Sequence, residues 1–151
     1  MRINTALVGV SRLYIEAAPL VYYVEENPTY VERMDAVIAA IENTPIEAVS
    51  SVITLTEVLT HPLRLGQTHY ERAYRDILPH SSGFELVPVT VESADLAARL
   101  RARYNLRTPD ALHIAAALTT GCDAFLTNDR ALQRVDVTRM LVLDELEGDT
   151  A

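Results

Sequence analysis

The sequence predicts an α/β fold in which a mostly parallel sheet is covered by helices on both faces. Two observations point there. Short apolar runs, "RLYI", "IEAVSS", "FELVPV", "DAFLT" and "RMLVL", alternate with longer segments whose apolar residues recur at helical spacing. At 151 residues and 49% hydrophobic, with no repeat, low-complexity tract or Ser/Gly linker, the chain suits one domain with one core. That domain is expected to span 1–151 with its core at about 12–143, leaving 1–10 and the polar tail 145–151 as loose ends.

Taken in order, "RLYI" is a strand and "APLVYYVEE" a helix with Pro19 in its first turn, where a missing N–H costs nothing. Val31, Met34, Val37, Ile38 and Ile41 mark a second helix, stopped by Asn43-Thr44-Pro45. After "IEAVSS", Ser50 or Ser51 caps a helix from 52 to about 61, ended by His61-Pro62. "THYERAYRDIL" is amphipathic through Tyr70, Ala73, Tyr74 and Ile77. "FELVPV" follows as a strand, and Thr90 caps a helix running to about Tyr104. Thr108-Pro109 opens an alanine-rich helix that Gly121 ends. "DAFLT" is a strand, "NDRALQR" a short helix and "RMLVL" the last strand.

Bulk chemistry narrows the function. One cysteine, Cys122, leaves no internal disulfide framework, and a reducing cytoplasm fits. No apolar run approaches the roughly 18 residues of a membrane span. The N-terminal "MRINTALVGVSRLYIEAAPL" lacks the layout of a secretory signal. A net charge of -8 argues against a generally basic nucleic-acid coat, so an anionic substrate needs local help. All 13 basic residues are arginine, which compositional bias explains more simply than phosphate recognition.

In parallel sheets, ligands sit beyond the carboxyl ends of the strands. Glu16 lies there after the first strand, Asp129 after the fourth, Asp110 in the first turn of the helix before it, and Glu57 within "SVITLTEVLTH". Singly, each has an ordinary account as a helix cap, a dipole partner or a solvated acid. Together, carboxylates at one sheet edge repel unless protons or cations intervene, and an all-oxygen cluster suits Mg²⁺ or Mn²⁺. Zinc is not indicated, because His61, His69, His80 and His113 show no ligand spacing with Cys122.

The segments "LYIEAAPLVYYVE", "SVITLTEVL" and "RTPDALHIAAALTTGCDAFLTNDRAL" resemble the PIN domain, especially the small ribonucleases of VapC-like toxin type. The similarity runs from about Leu13 to Leu143, and "TPDALHIAAAL" followed by "CDAFLTND" is its specific part. The resemblance implies a three-layer α/β/α sandwich and a ribonuclease whose catalytic and metal-holding acids are Glu16, Glu57, Asp110 and Asp129. Thr127 and Asn128 belong to the same "TND" signature and, with Arg107 and Arg130, are candidates for contact with substrate. A homodimer and a small antitoxin partner are further implications of the family.

One departure stands out. The family places Asp followed by Thr or Ser at the end of the first strand, whereas this chain has Glu16-Ala17-Ala18. The extra methylene moves the carboxylate outward, and the missing hydroxyl removes a donor that would orient it.

The leading expectation is metal-assisted hydrolysis of RNA phosphodiesters, the cation also reconciling an acidic pocket with an anionic substrate. The alternative is a catalytically weakened PIN-like module that acts through RNA or protein contacts. A third reading, another hydrolase using the same cations, is not separated by acid placement, although no P-loop or Gly-rich phosphate cradle is present. Arg99 and Arg103 are expected on a solvated face, in line with Arg107 if the helix persists. His113 is expected as a packed, hydrogen-bonded residue, with proton transfer or RNA contact as its alternatives. Tyr22 and Tyr23 are expected to fill core and interface.

Overall fold

The computed structural model describes residues 1–79 and 83–148; His80 and the end of the polar tail lie outside the described residues. Five parallel strands form a single sheet in the order β3-β2-β1-β4-β5: β1 is Arg12–Ile15, β2 Glu47–Ser51, β3 Phe84–Val87, β4 Ala124–Thr127 and β5 Arg139–Val142. The helices are α1 (Ile3–Ala6), α2 (Ala17–Val24), α3 (Val31–Asn43), α4 (Val52–Leu65), α5 (Thr68–Ile77), α6 (Val91–Tyr104) and α7 (Thr108–Thr119). Single 3₁₀ turns follow β4 and β5, at Arg130–Arg134 and Leu143–Glu145. None of the described helices is long and apolar enough to cross a membrane.

The sheet is buried on both faces, which explains why its strands read as apolar runs. Successive residues of β1 and β4 enter opposite cores. Leu13, Ile15, Ala124 and Leu126 join Met34, Val37, Val58 and Tyr74 on one side, while Tyr14 and Phe125 join Leu100, Ala111, Ile114 and Ala115 on the other. The fold is therefore the expected three-layer α/β/α sandwich, with every strand pairing parallel.

Local chemistry sets the helix ends. Ser51, of the two serines considered, caps α4 by accepting from Ile53 N at 3.1 Å. Ser50 instead donates to the Ile15 carbonyl at 2.7 Å and meets Thr54 Oγ1 at 2.7 Å. Thr90 and Ser93 form a reciprocal capping box at the start of α6.

Three boundaries differ from expectation. Residues 1–10 are not loose: α1 is seated by an Ile3 N–H bond to the Glu147 carbonyl at 3.0 Å, and Ile3, Ala6, Leu7 and Val10 are buried. Their i, i+3, i+4, i+7 spacing was the available signal. The stretch 145–148 is likewise held, with Leu146 buried and Glu147 bridged to Arg2. Helix α4 does not stop at His61-Pro62 but carries Pro62 inside it to Leu65. A proline removes one N–H bond, and here its ring is buried, while Gly66 at φ +67° supplies the left-handed residue that ends the helix.

The strand order places the site. From β1 the chain winds outward through β2 and β3, then returns to the opposite side of β1 as β4. The crevice beyond the carboxyl ends of β1 and β4 is the switch point where open parallel sheets bind ligands.

Candidate functional site

Ile15 is in register with Leu126, and Glu16 N–H extends the pairing by donating to the Leu126 carbonyl at 3.0 Å. Glu16 thus leaves β1 beside Thr127, the last residue of β4. It precedes α2 but makes no side-chain cap; its carboxylate instead accepts from the Thr127 hydroxyl. Thr127 Oγ1 also accepts from Asp129 N at 3.0 Å, so one buried hydroxyl ties two of the acids together. A hydroxyl therefore does stand beside Glu16, supplied across the sheet by β4 rather than by the residue after Glu16.

Asp110 is 7% exposed in the first turn of α7 and takes both oxygens to Arg107, at 3.0 and 3.3 Å, although Arg107 is 77% exposed. Asp129 Oδ1 caps the turn after β4 by accepting from Ala131 N at 3.0 Å. Glu57 extends from α4 to α7, where its Oε1 meets His113 Nε2 at 2.5 Å.

The four carboxyls share one edge of the sheet. Glu16 feels the charges of Asp110 and Glu57, and Arg107 those of Asp110, Asp129 and Glu16. They do not form a closed cage: among the described residues no three His, Cys, Asp or Glu side chains stand as a ready metal cluster. Each acid has a protein hydrogen-bond partner: Thr127 for Glu16, Arg107 for Asp110, His113 for Glu57 and the Ala131 N–H for Asp129. The donors are nonetheless the right kind for a hard divalent ion, being all oxygen. Freeing Asp110 requires only that an exposed arginine move.

The other candidate residues divide. Asn128 is spent within the protein, its Nδ2 donating to Tyr22 Oη at 3.1 Å and its Oδ1 accepting from Asp144 N at 2.8 Å. Thr127 faces Glu16 and Asp129 rather than solvent. Arg130 is exposed but reaches Asp144 and Glu145, at 2.5 and 3.1 Å. Arg107 does not continue the Arg99–Arg103 stripe, because α6 ends at Tyr104 and Asn105 turns left-handed at φ +53°. Arg99 pairs with Asp95 and Arg103 with Asp136, both on the surface. His113 is 1% exposed, which fits a packed role and excludes direct RNA contact. Tyr22 is half-buried and stacks on Tyr30 at 4.5 Å.

Burial holds the Glu16 carboxyl above its ordinary value; the Thr127 hydroxyl and His113 oppose the rise, while Asp110 and Glu57 add to it. A raised pKa in the folded state means that the native form favours the proton. This contribution to stability is present below the ordinary glutamate range and lost as pH rises through the raised value. In chelator-containing buffer, Glu16→Gln should therefore be more stable than wild type at about pH 7, with the gain shrinking toward about pH 4. Urea denaturation at both pH values measures this; an equal gain at both would show that ionisation of Glu16 is not what costs stability.

An open groove of about 560 Å³, lined by Asn4, Glu32, Ala36 and Asn43 among others, lies along α3 and contains none of the four acids.

The PIN domain matches residues 13–138, and the chain belongs to that family. Solved structures of the same fold include VapBC2 from Rickettsia felis bound to a promoter DNA fragment, at TM-score 0.67 and 15% identity over 91% of this chain and 98% of that one. A toxin–antitoxin complex from Klebsiella pneumoniae aligns at TM-score 0.65 and 20% identity, covering 87% and 97%. VapC20 of Mycobacterium tuberculosis, described as a Sarcin-Ricin loop cleaving toxin, aligns at TM-score 0.66 and 15% identity, covering 82% and 95%. No curated protein sequence matches the chain at a significant level.

Proposed function

We propose that the chain is a metal-dependent endoribonuclease, the toxin of a toxin–antitoxin pair, with Glu16, Glu57, Asp110 and Asp129 as its metal-holding and catalytic acids. What supports this reading is a PIN domain in which Glu16 and Asp129 follow β1 and β4, the charges of Asp110 and Glu57 reach Glu16, and that of Asp129 reaches Arg107. The company of toxin–antitoxin structures, one of them described as a Sarcin-Ricin loop cleaving toxin, agrees with it. A small antitoxin and a homodimer belong to the same reading.

Bound Mg²⁺ or Mn²⁺ supplies a Lewis acid for the phosphate and lowers the pKa of an attacking water. The protein's part is positional. Glu16 and Asp129 are set by the Thr127 hydroxyl, Glu57 by His113, and Asp110 by the first turn of α7. Arg107 would turn from Asp110 toward a phosphate oxygen, where its planar fork is suited to bind, and the exposed Arg130 follows Asp129 directly in sequence.

A second reading, a PIN module that holds RNA or protein without cutting, is favoured by Glu16-Ala17-Ala18 and by the absence of a ready ligand trio among the described residues. Calorimetric titration with MnCl₂ and MgCl₂, alongside incubation with structured RNAs in each metal and in chelator, separates the readings. Cleavage that needs a divalent ion supports the nuclease. RNA bound but uncut in both metals favours the module, and neither binding nor cutting overturns both.

A further inference from the structure

We propose that Tyr14 and His113 are positioning residues that form, with Glu57, a buried relay from β1 through α7 to α4, fixing the Glu57 carboxylate at the mouth of the site. The proposal rests on the reading of Glu57 as a metal-holding acid. Tyr14 Oη lies 2.6 Å from His113 Nδ1, and His113 Nε2 lies 2.5 Å from Glu57 Oε1. Tyr14 is 0% exposed and His113 1%, whereas the Glu57 side chain is 41% exposed, so the chain of bonds runs from core to surface.

Donor and acceptor roles fix where the protons sit. An ionised carboxylate only accepts, so Nε2 must carry a hydrogen toward Glu57. A phenol carries a hydrogen to donate, and in a neutral imidazole with Nε2–H only Nδ1 is free to accept, so the Tyr14 hydroxyl donates across this contact. With Tyr14 donating, Nδ1 is the acceptor, and the imidazole is held as the Nε2–H tautomer.

The rings cannot easily turn. Tyr14 stacks on Phe125 at 5.0 Å with an 8° interplanar angle and meets the His113 ring edge-on at 5.8 Å. A histidine serving packing alone would be satisfied by a neighbouring carbonyl. His113 instead reaches across to a half-open carboxylate on another helix, 56 positions away. Glu57 takes this bond through Oε1, the arrangement by which an outer partner orients a ligating carboxylate.

The test begins on the wild-type protein. ¹⁵N NMR of the His113 ring should show the Nε2–H tautomer, and Tyr14→Phe should shift both ring nitrogens and the Glu57 side-chain carboxyl signal while circular dichroism stays native. By calorimetry, Mn²⁺ affinity should fall roughly 10- to 100-fold in Tyr14→Phe and in His113→Ala. His113→Gln, whose amide can occupy the place of Nε2–H, should recover most of that loss. Adding Tyr14→Phe to Glu57→Gln should change Mn²⁺ affinity no further, because the relay would act only through Glu57.

An Nδ1–H tautomer in wild type, or unchanged Mn²⁺ affinity in folded Tyr14→Phe and His113→Ala, overturns the relay. If wild type takes up no Mn²⁺, the metal reading of the site fails on its own. The relay is then judged by the tautomer and by the Glu57 carboxyl shift, and an unmoved carboxyl signal in Tyr14→Phe overturns it.

Discussion

Asp110→Asn is expected to leave less than about a hundredth of the wild-type rate of RNA cleavage, because even an outer partner of a metal ligand is worth roughly 10- to 100-fold. The substitution keeps the shape of the side chain and removes its charge. Asp110 is the most enclosed of the four acids, at 7% exposure, and it sits in the first turn of α7, where the helix dipole favours an anion. The ion pair lost with it involves an arginine that is 77% exposed, so the expected loss of stability is small beside the loss of activity. Initial cleavage rates in MnCl₂, with thermal melts of both proteins, measure the two effects separately. A variant that melts early and cuts little would report a folding defect; one that melts normally and cuts as wild type would remove Asp110 from the machinery.

The same residue shows why part of this site was legible in the sequence. Asp110 follows Thr108-Pro109 at a helix start and precedes a run in which both faces are apolar, so a carboxylate there stands out against its surroundings. The strands were legible for a related reason: burial on both faces leaves β1 and β4 no polar alternation, and turn residues bound them. Glu16, Asp110 and Asp129 could be placed at element ends because those ends are written in caps and breakers such as Ser51, Thr90 and Gly121, whereas Glu57 was read within a helix.

Side-chain partners were not legible. His113 depends on residues 99 and 56 positions away, and no local period encodes either. Thr127 was expected to meet substrate as part of "TND", but whether its hydroxyl points outward or back to Glu16 is settled by the parallel register of β1 and β4. Arg107 was placed in line with Arg99 and Arg103 by counting, yet a single left-handed residue, Asn105, separates it from their helix. The buried N-terminal turn was overlooked for a different reason. Four residues are too few for a helix that stands alone, and α1 persists because Ile3 and Ala6 are packed into the core.

Phe125→Ala is expected to cost about 3–5 kcal/mol, a large share of the roughly 5–15 kcal/mol that holds a domain of this kind together. Phe125 is 0% exposed in β4, in register with Tyr14 on one neighbour and Met140 on the other, and belongs to the cluster formed with Ala111, Ile114 and Ala115. Those small α7 residues cannot expand to fill the space a phenyl ring leaves, so a cavity is expected beneath the helix that carries Asp110 and His113. Leu126→Ala is the comparison, since the next residue points into the opposite core and its truncation is expected to cost about 2–5 kcal/mol. Both variants should unfold at lower urea, but only Phe125→Ala removes the ring stacked on Tyr14. It should therefore also disturb the His113 ring signals under conditions where it remains folded, and Leu126→Ala should not. If Phe125→Ala loses less than about 1 kcal/mol, the helix has collapsed onto the sheet or the ring was never tightly packed. If both variants disturb His113 equally, the two faces of the sheet do not hold the site independently.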